Sequence, residues 1–285
     1  MRIIRVFPRK TKATPDDALA IANRGPDLFD EADKVLISVA FDADRQKAEE
    51  LAKKWAVVAP VEIGGPAYAH LTPAGEFEPG MFLKRGYVIT SRGCPNKCHF
   101  CKVPEREGEL RVLEIKDGWN VLDNNLLACP KEHVEAVFEM LMRQPQSPRF
   151  TGGIEADRMT PWHAEWFAKL KTETLWMAYD FPSEYEPLRS ACEMLSDVGM
   201  IVPHKRKKVG AYVLMGERYD TPKAARRRLE SVIALGIKTQ AMLYENGAEC
   251  RKEDMPKWWD LRRKFTDSRE VGSMVAETWD KETSK

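Results

Sequence analysis

The strongest constraint on the fold is an alternation that fills most of the chain. From Gly86 to Tyr244, short apolar and β-branched runs alternate with stretches whose apolar residues recur at helical spacing. The runs are Gly86–Thr90, Trp119–Leu127, Arg149–Ile154, Thr174–Tyr179, Val209–Met215 and Lys238–Tyr244. Between them, Val134, Val137, Phe138 and Leu141 share one helical face. Leu188, Ala191, Cys192 and Leu195 share a second face, and Ala225, Leu229, Val232 and Ile233 a third. Thr160-Pro161 and Thr221-Pro222 each open a helix with a capping hydroxyl and a proline at the first helical position. Strands joined by helical crossovers run parallel, so the expectation is an α/β fold. Six such strands over residues 84–250 are expected to curve into a partial (βα)6, TIM-like barrel, since a complete barrel needs eight units.

Residues 1–83 read as a small Rossmann-like α/β segment ahead of that barrel. Arg2–Phe7, Lys34–Phe41 and Val57–Ile63 suit strands, and Ala48, Leu51, Ala52 and Trp55 mark an amphipathic helix. The last of these strands ends at Gly64-Gly65-Pro66, and Thr72–Phe82, rich in proline and glycine, reads as the linker. Residues 251–285 read as a last helix, Pro256–Phe265 with Trp258, Leu261 and Phe265 inward, and then a polar tail.

Lys+Arg 45 against Asp+Glu 44 leaves a formal charge of +1, so no global imbalance announces a nucleic acid or a membrane surface. No apolar run approaches the length a bilayer needs, and the apolar start after Met1-Arg2 is too short for a signal-peptide core. A cytoplasmic location is therefore expected, and in such a reducing compartment the six cysteines do not suggest disulfides. Cys129, Cys192 and Cys250 are scattered, with Cys192 on an apolar helical stripe. Cys94, Cys98 and Cys101 fall within eight residues.

That cluster reads Thr90-Ser91-Arg92-Gly93-Cys94-Pro95-Asn96-Lys97-Cys98-His99-Phe100-Cys101 and follows directly on the first barrel strand. Three thiolates at C-x3-C-x2-C reach three irons of one cuboidal cluster from a single loop, leaving the fourth iron open, whereas electron-carrying clusters use four cysteines. The competing reading is a zinc site with His99 or a distant histidine as fourth ligand, although zinc usually takes a second cysteine pair that this chain lacks.

The loop resembles the signature of the radical S-adenosylmethionine superfamily, C-x3-C-x-aromatic-C, with Phe100 at the aromatic position, and the six-strand alternation matches that family's partial barrel. The resemblance implies that Cys94, Cys98 and Cys101 hold a [4Fe–4S] cluster whose open iron binds the amino and carboxylate groups of S-adenosylmethionine. One-electron reduction would then release a 5′-deoxyadenosyl radical that abstracts a substrate hydrogen, with flavodoxin or ferredoxin as reductant. Cofactor contacts are expected at the carboxyl ends of the strands: Asp123, Asn124 and Asn125; Gly152, Gly153, Glu155 and Arg158; Tyr179 and Asp180.

The family's Gly-Gly-Glu motif, which binds the methionine ammonium, follows its second strand. Here Gly152-Gly153 and Glu155 carry one extra residue and follow the third strand, so either Glu155 or Asp123 has the role. Gly210 to Gly216 resembles the segment that lies along the adenosine. Turn formation is the plainer reading of Asp123–Asn125 and of Tyr179-Asp180.

Lys34–His70 also resembles part of a cobalamin-binding domain. Its Asp-x-His-x-x-Gly loop is missing, the first histidine being His70, so cobalamin is not expected. The basic run His204–Lys208 lies toward the barrel face opposite the cysteines, with Arg226–Arg228 on the following helix, so nucleic acid is not expected as a partner; a small-molecule or nucleotide substrate is expected, its identity open. An iron–sulfur carrier or sensor without turnover is the alternative function, and a zinc-stabilised binding module the third.

Overall fold

The computed structural model describes residues 1–68, 76–202, 205, 207–266, 271 and 273–275. His70, His204, Arg206, the start of the expected linker and most of the polar tail lie outside the described residues. The chain is α/β with parallel sheets and divides into two compact units, Met1–Asn124 and Asn125–Lys285. Among the described residues, no helix is long and apolar enough to cross a membrane.

The first unit begins with a four-stranded sheet. Its strands are β1 (Ile3–Phe7), β2 (Ala20–Ala22), β3 (Lys34–Ser38) and β4 (Val61–Gly64), all parallel and ordered β2-β1-β3-β4. The helix α1 (Arg45–Trp55) packs its apolar stripe on them. Ile4, Val6, Val35, Ile37, Val39, Leu51 and Trp55 form the core, each buried side chain being worth roughly 1.5–3 kcal/mol. Gly65 lets β4 end against β3: at φ +101°, a Cβ there would lie 2.8 Å from the Val39 nitrogen. Residues of the expected linker are tied to this sheet. Buried Arg5 pairs with Asp17 and donates to the carbonyls of Gly80 (2.6 Å) and Met81 (3.0 Å), while Lys84 pairs with Asp16 at 2.5 Å. The compact unit accordingly continues past residue 83 to Asn124.

The rest of that unit carries two small strand pairs. β5 (Tyr87–Val88) runs parallel to β8 (Asn120–Val121), and β6 (Ser91–Arg92) runs antiparallel to β7 (Arg111–Val112). Between β6 and β7 lie the cysteine loop and a one-turn helix, α2 (Val103–Glu107).

The second unit is built on four parallel strands, β9 (Arg149–Ile154), β10 (Thr174–Ala178), β11 (Val209–Met215) and β12 (Lys238–Leu243), which neighbour one another in chain order. The helices α3 (Lys131–Met142), α4 (Pro161–Lys169), α5 (Tyr185–Asp197), α6 (Pro222–Ala234) and α7 (Met255–Lys264) bury the apolar stripes read from the sequence, Phe138, Leu195, Leu229 and Trp258 among them. The strands alternate as a half-covered sheet should: Leu175, Met177, Ala211 and Val213 are buried, while Trp176, Ala178, Tyr212 and Leu214 are only partly covered. Trp176 stacks on Tyr212 at 4.8 Å. Arg228 is buried and pairs with Asp220 at 2.7 Å, so it adds no charge to the surface run expected at Arg226–Arg228.

Candidate functional site

The cysteine loop is held at its entrance by residues that follow β8. Asp123, 2% exposed, accepts hydrogen bonds from the Thr90 backbone nitrogen (2.7 Å), the Thr90 hydroxyl (2.6 Å) and the Ser91 hydroxyl (2.7 Å). Asn124 Oδ1 accepts from the Gly93 nitrogen at 3.0 Å. The Asp123-Asn124 dipeptide therefore anchors the chain from Thr90 to Gly93, immediately before the first cysteine. Gly93 itself is sterically required. At φ +79°, a Cβ would fall 2.2 Å from the Glu109 carbonyl oxygen, where no side chain fits. Arg92 pairs with Glu107 at 3.1 Å, both side chains largely covered.

Cys94, Cys98 and Cys101 are all partly exposed. The loop turns through a hydrogen bond from the Cys101 nitrogen to the Cys98 carbonyl at 3.0 Å. Backbone nitrogens reach two of the sulfurs: Asn96 N to Cys94 Sγ at 3.4 Å and Val103 N to Cys101 Sγ at 3.5 Å. Hydrogen bonds to cysteine sulfurs are among the features that set the potentials of iron–sulfur clusters. This donor set fits a cluster held by three thiolates. Phe100, between the second and third cysteines, meets His99 edge-on at 5.6 Å. Among the described residues no three His, Cys, Asp or Glu side chains are grouped to hold a single metal ion. A cuboidal cluster instead takes each thiolate on a separate iron.

The other strand-end candidates belong to the second unit. Asn125, Glu155 and Arg158 are brought together: Glu155 Oε2 accepts from Asn125 Nδ2 at 2.6 Å and from Arg158 Nε at 2.5 Å. Glu155 and Arg158 follow a distortion of β9. Leu175 and Met177 of β10 face Phe150 and Ile154, so three residues of β9, Thr151, Gly152 and Gly153, oppose Trp176 alone. Gly153 takes φ +101°, with open space around its Cβ direction. The register between β9 and β10 thus slips by two residues over Thr151–Gly153, and Ile154 is back in register opposite Met177.

One strand over, Tyr179 is buried, and burial raises its phenol above the usual range. Burial first, and then the neighbouring Glu184 carboxylate, push the Asp180 carboxyl up to about 7. The Leu214 nitrogen, 3.3 Å from Oδ1, and Arg228 act in the opposite sense. Glu184 caps the turn here, its Oε2 accepting from the Asp180 nitrogen at 2.5 Å and the Phe181 nitrogen at 3.1 Å. In the segment compared with the adenosine-binding one, Gly210 makes room for the Trp176 ring, 2.5 Å from its Cβ direction. The Gly216 carbonyl at the other end accepts from Cys250 Sγ at 3.4 Å. Cys192 is buried against its helix, and its thiol is pushed up to about 12.

Sequence reading missed the jobs of Thr90 and Ser91, whose hydroxyls meet Asp123 from more than thirty residues away. It also missed Asp42, which accepts from Lys102 and Arg106 beside the third cysteine. The i,i+3 or i,i+4 patterns that reveal local pairs carry no signal at such separations. No protein-family model matches this chain, and no curated protein matches it.

Proposed function

We propose that this chain is a radical S-adenosylmethionine enzyme, with its parallel strands belonging to a partial (βα)6 barrel. The observation that carries the reading is the loop Cys94-x3-Cys98-x-Phe100-Cys101, anchored behind Gly93, with backbone nitrogens directed at its first and last sulfurs. Cys94, Cys98 and Cys101 would hold a [4Fe–4S] cluster, which when bound supplies one-electron reductive cleavage of S-adenosylmethionine. The reading requires a one-electron donor of the flavodoxin or ferredoxin type.

Of the two carboxylates considered for the methionine ammonium, Asp123 is already engaged by three donors from Thr90 and Ser91. We therefore give Asp123 and Asn124 the task of positioning the loop. Glu155, which accepts from Asn125 and Arg158, is the remaining candidate for the ammonium, and binding there would have to replace part of its pairing with Arg158. Asp180, whose carboxyl burial pushes up to about 7, remains a further strand-end candidate for the pocket.

Anaerobic reconstitution with iron and sulfide tests the assignment. About four irons and four sulfides per chain, with a reduced-state electron paramagnetic resonance signal that changes when S-adenosylmethionine is added, are expected. A protein that takes one zinc and no sulfide would overturn it.

A further inference from the structure

We propose that Asp42 is a positioning residue for the cysteine loop: its carboxylate holds the Cys101 end through Lys102 and Arg106, so the amino-terminal sheet helps to place the third thiolate. The role assigned to the thiolate rests on the cluster reading above. The ionic clamp itself does not.

The two ends of the loop are secured differently. The entrance is fixed by buried hydrogen bonds from Thr90, Ser91 and Gly93 to Asp123 and Asn124. The exit leads from Cys101 through Lys102 into α2, and none of the five residues of α2 is buried. Apolar packing therefore does little to hold this turn in place, and its position depends on polar contacts. On one side Arg92 pairs with Glu107, whose carbonyl also accepts from Arg111 Nη1 at 2.5 Å. On the other side Asp42 Oδ2 accepts from Arg106 Nη2 at 2.6 Å and Lys102 Nζ at 3.2 Å.

Asp42 is well placed to act as a fixed point. It lies in the tight turn that follows β3, and its Oδ1 accepts from Arg45 Nη2 at 2.8 Å. The same guanidinium nitrogen donates to the Ala67 carbonyl at 2.5 Å, beyond the end of β4. Partial burial works against the charged form of Asp42, yet Lys102, Arg106 and Arg45 together hold its carboxyl below the usual range. The carboxylate is thus ionised at neutral pH and faces three cations. Replacing it by an amide would remove one negative charge from the neighbourhood of Cys101, which favours the more negative, reduced state of any cluster bound there.

Hydrogen exchange of the iron-free chain, followed for peptides covering residues 98–108, tests the clamp directly in wild type, Asp42→Ala, Asp42→Asn and Asp42→Glu. Exchange there should rise about fivefold in the Ala and Asn variants, the worth of two partly exposed ion pairs, and stay near wild type in the Glu variant. Unchanged exchange in β1 and β3 would show that the sheet still folds, and Lys102→Gln with Arg106→Gln should reproduce the effect from the other side. In the reconstituted protein, Asp42→Ala should lose iron to a chelator faster than Asp42→Glu, and Asp42→Asn should have a more positive midpoint potential than wild type.

Unchanged exchange in all these variants, with the wild type holding its iron, would overturn the clamp and leave the cluster reading intact. A wild-type chain that assembles no cluster but shows the same exchange pattern would support the clamp and overturn the cluster reading.

Discussion

Replacing Asp123 with alanine should loosen the base of the cysteine loop more than any single change within the loop itself. Asp123 is 2% exposed, and Thr90 and Ser91, which supply its three donors, are both 0% exposed. The variant would leave two buried hydroxyls and one backbone nitrogen without this acceptor. A buried donor left without its partner costs about 1–3 kcal/mol, and relaxation around the smaller side chain recovers part of the sum, so a loss of about 4 kcal/mol is expected. Asp123→Asn should cost much less, about 1–2 kcal/mol. Its Oδ1 still accepts from the Thr90 nitrogen, and the two hydroxyls can rotate to accept from Nδ2. Because the chain has two compact units, a whole-chain melting curve would mix their responses. Native-state hydrogen exchange of residues 87–93 reads the affected segment alone. A loss below about 1 kcal/mol in Asp123→Ala, or an Asn variant as damaged as the Ala variant, would refute this reasoning.

Single replacement of Cys94, Cys98 or Cys101 by alanine should abolish iron and sulfide uptake, whereas Cys129→Ala, Cys192→Ala and Cys250→Ala should retain both, as metal analysis after anaerobic gel filtration will show. Gly93→Ala should destabilise the β6–β7 pair by about 2 kcal/mol or more, since a Cβ would meet the Glu109 carbonyl at 2.2 Å, and it should reduce iron uptake even though every ligand remains. The Asp180 carboxyl, raised from 3.8 to about 7, stabilises the fold fully below pH 3.8, and that contribution is lost as pH rises through 7. Asp180→Asn should therefore gain stability relative to wild type on going from pH 5 to pH 8, measured by native-state hydrogen exchange of residues 174–180. Equal pH dependence in the two proteins would count against the burial of this group.

Much of the scaffold was legible because its signals are local and periodic. The stripes Val134–Leu141, Leu188–Leu195 and Ala225–Ile233 bury as read, and the four strands between Arg149 and Leu243 run parallel within a residue or so of their expected limits. The strands near the cysteines were less legible. Gly86–Thr90 contains only the two-residue ladder Tyr87–Val88, because Thr90 turns its nitrogen and hydroxyl to Asp123 instead of a neighbouring strand. Ala20–Ala22 was missed outright, since a three-residue edge strand with one apolar branched residue, Ile21, is too short to show an alternation. The cysteine loop is visible in the sequence because its three cysteines fall within eight residues. Asp42, sixty residues before Lys102, and Asp123, more than thirty after Thr90, act through contacts that only the folded chain creates.

The central claim is tested most directly by incubating the anaerobically reconstituted protein with S-adenosylmethionine and a strong one-electron reductant, and measuring 5′-deoxyadenosine and methionine by chromatography. The account predicts reductant-dependent formation of both products in equal amounts, abolished in Cys94→Ala, Cys98→Ala and Cys101→Ala. A fully loaded cluster that leaves S-adenosylmethionine uncleaved under these conditions, or cleavage that persists in the cysteine variants, would contradict it.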